Sequence, residues 1–402
     1  MQESSAAAGS RALQPPFLRV LYVLDDTRST PTTAELVRIL ARLVPQRVQA
    51  AVCSIAPFGD ATEDIQHENV PVVSLERAAA EGLLGVGRDI LAVLGLRALV
   101  EKFEPDILHL FGRRALTVGR LAAGMTRRPF LGSVGTERVR RGFAGLVDRL
   151  ARSAPGRGRL VFADQDAAAA YRSADGGGEP IEIVGHGIDA RAMRSGFVTP
   201  FEVLPRGGFT VGCRIEPGST DSLRTVLEAF RIFGAGVPEA RLVLFATAAE
   251  AHLEPWVDDL ELAGRVLAVA PKGDGSELIR RMDVMWIHAR PKPDQGLILR
   301  SFCHGVPVVC DHDTGLAPEI REIGGALMRD ARWPRQVAEA TRQIFADPEM
   351  RAALSRSGRL VVERRHPMGP YVSRLRSLYA AVVAEAAKTA TEPSTDCQAE
   401  PA

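Results

Sequence analysis

Short apolar runs rich in β-branched residues alternate with longer amphipathic stretches along most of the chain. In the first half these runs predict strands at LRVLYVL, RVQAAVC, VPVVSL, DILHLF, PFLGSV, RLVFA and IEIV. Helices are predicted between them at residues 32–43, 87–102, 115–125, 137–153 and 165–173. Several strands are apolar on both faces, as expected for a parallel sheet covered by helices on both sides. The first half therefore predicts a doubly wound α/β domain.

The alternation stops near Ala190 to Gly208, where the Pro- and Gly-bearing stretch FVTPFEVLPRGG is typical of a linker. It restarts with predicted strands at FTVGC, ARLVLFA, RVLAVA, VMWIHA and VPVVC, with helices at 222–233, 249–262, 276–282 and 297–304 and three closing helices at 333–345, 348–363 and 370–387. We predict two Rossmann-like domains, residues 17–195 and 209–370, joined by a linker at 196–208 and flanked by disordered tails at 1–16 and 389–402. Two such sheets leave a cleft at the carboxyl ends of their strands, where open α/β folds bind ligands.

Composition excludes several classes of function. The 402 residues are 46% hydrophobic and 25% charged, and the formal net charge of +1 predicts no global attraction to nucleic acid or to a membrane. The five cysteines are scattered, with no CxxC pair and no clustered histidines, so neither a disulfide framework nor a zinc site is indicated. The first residues lack the apolar run of a signal peptide, and nothing approaches the roughly 18 consecutive apolar residues of a membrane span. We expect a cytoplasmic protein without metal or bound cofactor.

One segment has a strong local charge. Residues 113–159 contain twelve arginines and two carboxylates, a net charge of +10. Such a segment could contact an anionic lipid headgroup or a lipid-linked acceptor, which predicts peripheral contact with the inner face of a membrane. The alternative is that this charge has no function and reflects the composition of the whole chain, in which arginines far outnumber the four lysines.

Several common nucleotide- and metal-binding motifs are absent from the sequence. It has no GxxxxGK[ST] phosphate loop and no HExxH, and the nearest approach to GxGxxG, GVGRDI at 85–90, does not follow a predicted strand. That segment reads better as part of a packed helix.

The order of segments in the second half is more specific. It runs VGCR, LEAF, LVLF, RVLAVAP, MDVMWIHA, GLILRSFCHGVPVV and TGLAPEI. This order resembles the C-terminal domain of the GT-B glycosyltransferases of family 4, the glycosyl transferases group 1. Upstream, EPDILHLFG and IVGHGID resemble the family's "PD-apolar-apolar-H" strand and the turn before its interdomain linker, and residues 345–379 resemble its closing helices. The resemblance covers about residues 17 to 385.

The resemblance implies a GT-B fold, in which two Rossmann-like doubly wound domains face a cleft. It also implies that the N-terminal domain binds the acceptor, that the C-terminal domain binds a nucleotide sugar, and that a closing helix at 371–388 packs back on the N-terminal domain. The donor substrate then takes the place of a cofactor.

The chain departs from the family at the usual Glu-x7-Glu element before Gly-x-Pro-Val. The second Glu would fall at Arg300 or Ser301 and the first between Lys292 and Asp294, where only Asp294 could substitute. In the family the second Glu contacts the two ribose hydroxyls of the nucleotide. An Arg or Ser in its place removes the carboxylate that could accept from both hydroxyls.

Two further departures concern a cation and a histidine. Family members have an Arg followed five residues later by a Lys; here Arg214 stands at or next to the Arg position and Ser219 at the Lys position, with Lys272 as a substitute cation. The family often has a His after the strand that matches FLGSV, and this chain has none. We interpret His109, in an apolar strand, as a satisfied core residue.

The resemblance implies two sets of site residues. On the donor side they are Arg214, Ser219, Lys272, Asp294, Gly296, Leu297, Ile298 and Glu319. Arg214 would hold the diphosphate, the backbone of Gly296 to Ile298 would lie along the donor, and Glu319 would contribute to the nucleotide pocket.

On the acceptor side the candidates are Thr30, Thr32 and His186, of which His186 replaces the family's Asn. Thr30 or Thr32 could cap the first helix, with Glu35 completing a capping box with Thr32. A capped helix start can bind an anion or be a plain structural cap.

The sequence therefore predicts a retaining, metal-independent hexosyltransferase that transfers a sugar from a nucleotide-sugar donor to a glycan or lipid-linked acceptor. One alternative is a catalytically inactive GT-B-fold binding or accessory protein that has lost the usual Glu-x7-Glu, Lys and His residues, and an Asp294 pointing out of the cleft would favour it. A second is a nucleotide-sugar epimerase of related two-domain build.

Overall fold

The computed structural model describes residues 17–77, 82–134, 158–175, 179–195, 207–215, 220–246, 254–271, 273–288, 294–330 and 332–391. The predicted tails, the predicted helix at 137–153 and most of the predicted linker lie outside these ranges.

Seven parallel strands form the N-terminal sheet in the order β3-β2-β1-β4-β5-β6-β7. They are β1 (Leu18–Leu24), β2 (Val48–Ser54), β3 (Val72–Ser74), β4 (Ile107–Phe111), β5 (Phe130–Ser133), β6 (Gly158–Phe162) and β7 (Ile181–Ile183). The helices of this half are α1 (Pro31–Leu43), α2 (Thr62–His67), α3 (Gly82–Phe103), α4 (Arg113–Thr126) and α5 (Gln165–Asp175), with a 3-10 turn at Val44–Gln46. The strand order reverses between β1 and β4, which places a topological switch point there.

Six parallel strands form the C-terminal sheet in the order β10-β9-β8-β11-β12-β13. They are β8 (Thr210–Arg214), β9 (Arg241–Phe245), β10 (Val266–Ala268), β11 (Val284–Ile287), β12 (Val308–Cys310) and β13 (Ala326–Met328). The helices are α6 (Ala190–Ser195), α7 (Thr220–Gly234), α8 (Glu254–Asp259), α9 (Ser276–Ile279), α10 (Gln295–His304), α11 (Ala317–Ile323), α12 (Pro334–Ala346), α13 (Pro348–Arg365) and α14 (Met368–Thr391). The prediction of two doubly wound α/β domains is confirmed.

Helix α1 shows why the local sequence folds as it does. Pro31 occupies the first helical position, where its fixed φ suits the helix and its missing N–H is no loss. Leu36, Ile39, Leu40 and Leu43 recur at helical spacing and are all buried against the N-terminal sheet. The apolar stripe therefore fixes which face of α1 meets the sheet and leaves the start of the helix at the sheet's carboxyl edge.

The chain crosses between the domains at two places that touch each other. Ile188 pairs with Pro367 in a parallel bridge, and the Ile188 amide donates to the His366 carbonyl over 2.9 Å. After the first crossing, α6 packs on the C-terminal domain, where Met193 joins a core cluster with residues of α10. Helix α6 therefore buries its apolar side chain in the C-terminal domain, although its residues precede the expected boundary at residue 195. After the second crossing, α14 covers the N-terminal sheet, with Tyr379 fully buried in its core.

Candidate functional site

Loops from the carboxyl ends of both sheets meet across the cleft. The Arg38 guanidinium on α1 forms an ion pair with Asp274, which follows β10. Gln295, the first residue of α10, donates from Nε2 to Asp164 Oδ2 over 2.5 Å, and Asp164 follows β6. Each contact joins one domain to the other, so the cleft is held closed at two points.

Several of the predicted donor-side residues meet where β8 ends and α10 begins. Asp294 is the N-cap of α10, and its Oδ1 accepts from the Leu297 amide over 2.9 Å. Arg214, the last residue of β8, donates from Nη1 to Asp294 Oδ2 over 2.7 Å. The Asp294 side chain is 31% exposed and the Arg214 side chain 50% exposed. Asp294 thus faces the cleft between an arginine and a helix start, which does not fit the orientation expected for the inactive alternative.

Arg300 adds a second guanidinium to the same place. Its Nη2 lies 3.9 Å from Asp294 Oδ2, and its side chain is only 12% exposed. A Cβ on Gly296 would lie 3.0 Å from Arg300 Nη1, so the guanidinium folds over the first turn of α10. Arg300 Nε is buried and has no hydrogen-bond partner among the described residues.

Electrostatics in this cluster are dominated by burial and by opposite charges. Burial would raise the pKa of Asp294, but Arg300, Arg214 and the Leu297 amide more than offset it and hold that pKa below its usual value. Burial lowers the pKa of Arg300 against the opposing effects of Asp294 and Asp274. At neutral pH these groups form a charged network at the start of α10.

The remaining donor-side candidates fall into two groups. Gly296, Leu297 and Ile298 are buried in the first turn of α10. Glu319 stands in the first turn of α11, and its Oε2 is buried without a hydrogen-bond partner among the described residues. Such an oxygen can accept a hydrogen bond from a ligand hydroxyl. Ser219 and Lys272 lie outside the described residues.

On the acceptor side, Thr30 is the N-cap of α1. Its Oγ1 accepts from the Thr33 amide over 3.3 Å, and its own amide donates to Thr33 Oγ1 over 2.8 Å. Thr32 is exposed and makes no cap, so the predicted capping box of Thr32 with Glu35 is wrong. Glu35 instead accepts from the Tyr371 hydroxyl over 2.7 Å, because α14 passes next to α1.

His186 lies half-buried in the turn before the first crossing. Burial lowers the pKa of its ring, while the charges of Glu35, Asp294 and Asp164 act in the opposite direction. The imidazole is therefore neutral at pH 7 and lies within electrostatic reach of carboxylates from both domains.

His109 is a satisfied core residue, as predicted. It is fully buried, with Nδ1 2.6 Å from the Tyr379 hydroxyl and Nε2 2.9 Å from Ser133 Oγ. Ser133 is the last residue of β5. Burial lowers the pKa of His109 to about 3.

The arginine-rich segment is described in part. Arg114 pairs with Asp89 over 2.6 Å, and Arg120 pairs with Glu179 over 2.7 Å. Both arginines are buried, which fits the compositional explanation better than a free basic surface. Half of the twelve arginines, between 138 and 157, lie outside the described residues.

The described ranges contain neither a membrane-spanning helix nor a cluster of metal ligands. In those ranges, no helix has the length and apolar character that crossing a bilayer requires. Nor do three or more His, Cys, Asp or Glu side chains come together there as a metal site needs.

Sequence comparison and structure comparison differ in what they find. No protein-family model and no curated protein matches the chain by sequence. Among solved structures, HepE of Anabaena in complex with UDP and glucose is similar with a TM-score of 0.71 at 17% identity, covering 90% of this chain and 100% of HepE.

Two other solved proteins are similar over nearly their full lengths. Sucrose-phosphate synthase of Thermosynechococcus elongatus gives a TM-score of 0.69 at 14% identity and covers 91% of this chain and 100% of its own. A Listeria monocytogenes protein assigned as a UDP-N-acetylglucosamine 2-epimerase gives 0.64 at 13% identity, with 92% and 97% covered. At these identities the similarity shows the fold alone: the chain has the GT-B architecture.

Proposed function

We propose that the protein is a glycosyltransferase that transfers a sugar from a nucleotide-sugar donor to a glycan or lipid-linked acceptor, with retention at the anomeric carbon and without a metal ion. The observation that carries the proposal is the convergence of Arg214 and Arg300 on the first turn of α10. Guanidinium groups beside a helix N-terminus suit a diphosphate. The crystallised neighbour HepE, of the same architecture, holds UDP and glucose.

Each side of the cleft has a separate task in this proposal. Arg214 and Arg300 neutralise the charge that develops on the departing diphosphate, the role that a metal ion fills in other enzymes. Glu319 Oε2, buried and without a partner among the described residues, accepts from a ribose hydroxyl. His186, neutral at pH 7, accepts a hydrogen bond from the acceptor hydroxyl, and Thr30 and Thr32 border the acceptor at the start of α1.

Contacts between the domains support catalysis by positioning. The ion pair of Arg38 with Asp274 and the hydrogen bond of Gln295 with Asp164 hold the acceptor face opposite the donor face. Fixing two reactants in one geometry removes much of the entropic barrier of a bimolecular step. These contacts must open and close during turnover for substrates to enter and products to leave.

Donor binding is tested by isothermal titration of the protein with a panel of nucleoside diphosphates and their sugars at fixed salt. We expect one nucleotide sugar to bind with a Kd of micromolar order, and Arg214→Ala to weaken it by roughly tenfold or more, because a charge-assisted bond to a phosphate is lost. The matched control is Arg224→Ala on α7, whose exposed side chain pairs with Glu228 over 3.1 Å. Absence of binding across the panel would contradict the proposal.

Turnover is tested separately from binding. The wild-type protein with the bound donor and candidate acceptors should release nucleoside diphosphate at a rate unchanged by EDTA, and proton NMR of the product should show the donor's anomeric configuration. Binding without release would support a binding protein instead. A donor converted to its epimer would support the epimerase alternative.

A further inference from the structure

Asp294 occupies the place where an anionic ligand would be expected. Its carboxylate accepts from Arg214 Nη1 at 2.7 Å and from the Leu297 amide at 2.9 Å, and it lies 3.9 Å from Arg300 Nη2. Two guanidinium groups and a helix amide around one carboxylate is also the arrangement that binds a phosphate group. The chain thus supplies its own anion to the cluster.

The positive charge of the cluster suits a single anion, either Asp294 or a bound ligand, better than both together. Arg214, Arg300 and Arg38 carry three positive charges, and Asp294 and Asp274 carry two negative charges, so the net charge is +1. A diphosphate added without any rearrangement would leave the cluster negative and would lie next to the Asp294 carboxylate. Like charges at hydrogen-bond distance repel strongly when partly buried.

The two halves of the cluster differ in how freely they can move. Arg214 is 50% exposed and Asp294 31% exposed, so both side chains can rotate toward solvent. Arg300 is 12% exposed and folds over Gly296, so its guanidinium stays where it is. An incoming anion therefore meets a fixed cation and a helix start once Asp294 has moved away.

We propose that Asp294 is an internal substitute for the ligand's phosphate, holding Arg214 and the start of α10 in the unliganded protein until the phosphate displaces it. Asp294 then sets the affinity and the anion selectivity of the site, since a ligand must carry enough negative charge to win the exchange. The identity of the ligand as a nucleoside diphosphate or its sugar rests on the proposed function. The exchange itself does not.

The test compares Asp294→Asn with the wild type in titrations with inorganic pyrophosphate. Asparagine is nearly isosteric and also a good N-cap, so α10 keeps its cap while the competing charge is lost. We expect pyrophosphate to bind about two- to fivefold more tightly to the variant, the range of a partly exposed ion pair. The increase in affinity should disappear when Arg214→Ala is added, because the phosphate binds the Arg214 guanidinium that Asp294 no longer holds.

A matched control has the same substitution at another helix start. Asp347 caps α13 and accepts from the Met350 amide over 2.9 Å, so Asp347→Asn makes the same chemical change away from the cluster. It should leave pyrophosphate binding unchanged. If Asp294→Asn does not fold, Asp294→Ser removes the charge with another favoured N-cap residue.

The outcomes separate this inference from the proposed function. Unchanged or weaker pyrophosphate binding by folded Asp294→Asn overturns the inference, even if the wild type binds a nucleotide sugar and the function stands. Tighter pyrophosphate binding that depends on Arg214, without binding of any nucleotide sugar, supports the inference while the proposed function fails. No pyrophosphate binding by either protein overturns the inference directly.

Discussion

Acid should destabilise the N-terminal domain through His109. The ring is fully buried, and burial lowers its pKa from 6.5 to about 3. Between these two values the unfolded chain binds a proton that the folded chain does not, so folding stability falls as the pH drops from about 6.5 towards 3. Each unit of pKa difference corresponds to about 1.4 kcal/mol. At about pH 5 the free energy of unfolding has therefore fallen by about 2 kcal/mol.

The assay is hydrogen exchange read by mass spectrometry on peptides that cover β4, at about pH 7.5 and about pH 5, after correction for intrinsic exchange rates. Exchange reports the free energy of opening region by region, which separates His109 from histidines in the other domain. The comparison variant is His109→Gln, which keeps a polar side chain but does not titrate. It should be less stable at neutral pH by about 1–3 kcal/mol, because the hydrogen bonds to Tyr379 and Ser133 are disturbed.

The reasoning would be refuted by an unchanged opening free energy of β4 between the two pH values in the wild type. It would also be refuted if His109→Gln retained the full wild-type pH dependence, since the proton would then bind elsewhere.

Three further predictions concern local interactions. Arg38→Ala should lower the free energy of unfolding by about 1–2 kcal/mol, less than the loss of a fully buried ion pair, because the Arg38 side chain is 22% exposed. The radius of gyration measured by X-ray scattering should increase as the domains separate. An unchanged radius would show that the ion pair does not hold the cleft closed. Thr30→Ala should lower the free energy of unfolding by about 1 kcal/mol through loss of the N-cap, whereas exposed Thr32→Ala should have almost no effect, and equal effects in chemical denaturation would contradict the observed cap. Gly112→Ala should lower the free energy of unfolding by about 1–3 kcal/mol, since the φ of Gly112 is 98° and a Cβ would lie 2.7 Å from Asp25 Cγ. Gly87→Ala should instead raise the melting temperature, because the space around Gly87 is open and alanine favours the helix.

Every strand of the two sheets except β13 could be predicted from the sequence, including the three-residue edge strands β3, β7 and β10. The prediction for β1 has the same bounds as the structure, because the five consecutive residues Val20 to Leu24 are buried on both faces of the sheet. Strand β13 was not predicted, because its three residues directly follow two glycines, which are typical of a loop and have φ above 100° in the structure. Helix α6 was not predicted, and its residues were placed at the end of the N-terminal domain before the linker at 196–208, since they include a single large apolar side chain, Met193.

At the candidate site, residue types could be predicted but not their pairings. Arg214 and Asp294 were expected as separate donor contacts, and nothing in the sequence shows that they bind each other across 80 positions. Arg38 and Asp274 were missed altogether, because a lone Arg on a helix and a lone Asp in a loop carry no pattern. The capping box was placed at Thr32 and Glu35 by spacing, whereas Pro31 at the first helical position decides in favour of Thr30.

The position of α14 has a consequence for the order in which the chain can fold during its synthesis. One face of the first sheet is covered by residues 368–391, including fully buried Leu375 and Tyr379. A ribosome that has made all seven strands of this sheet has therefore not yet made its cover, and the whole second domain must emerge before that cover arrives. During that interval the nascent chain exposes an apolar surface of the kind that chaperones bind. The second domain, which is continuous apart from the early packing of α6, can complete its own core first.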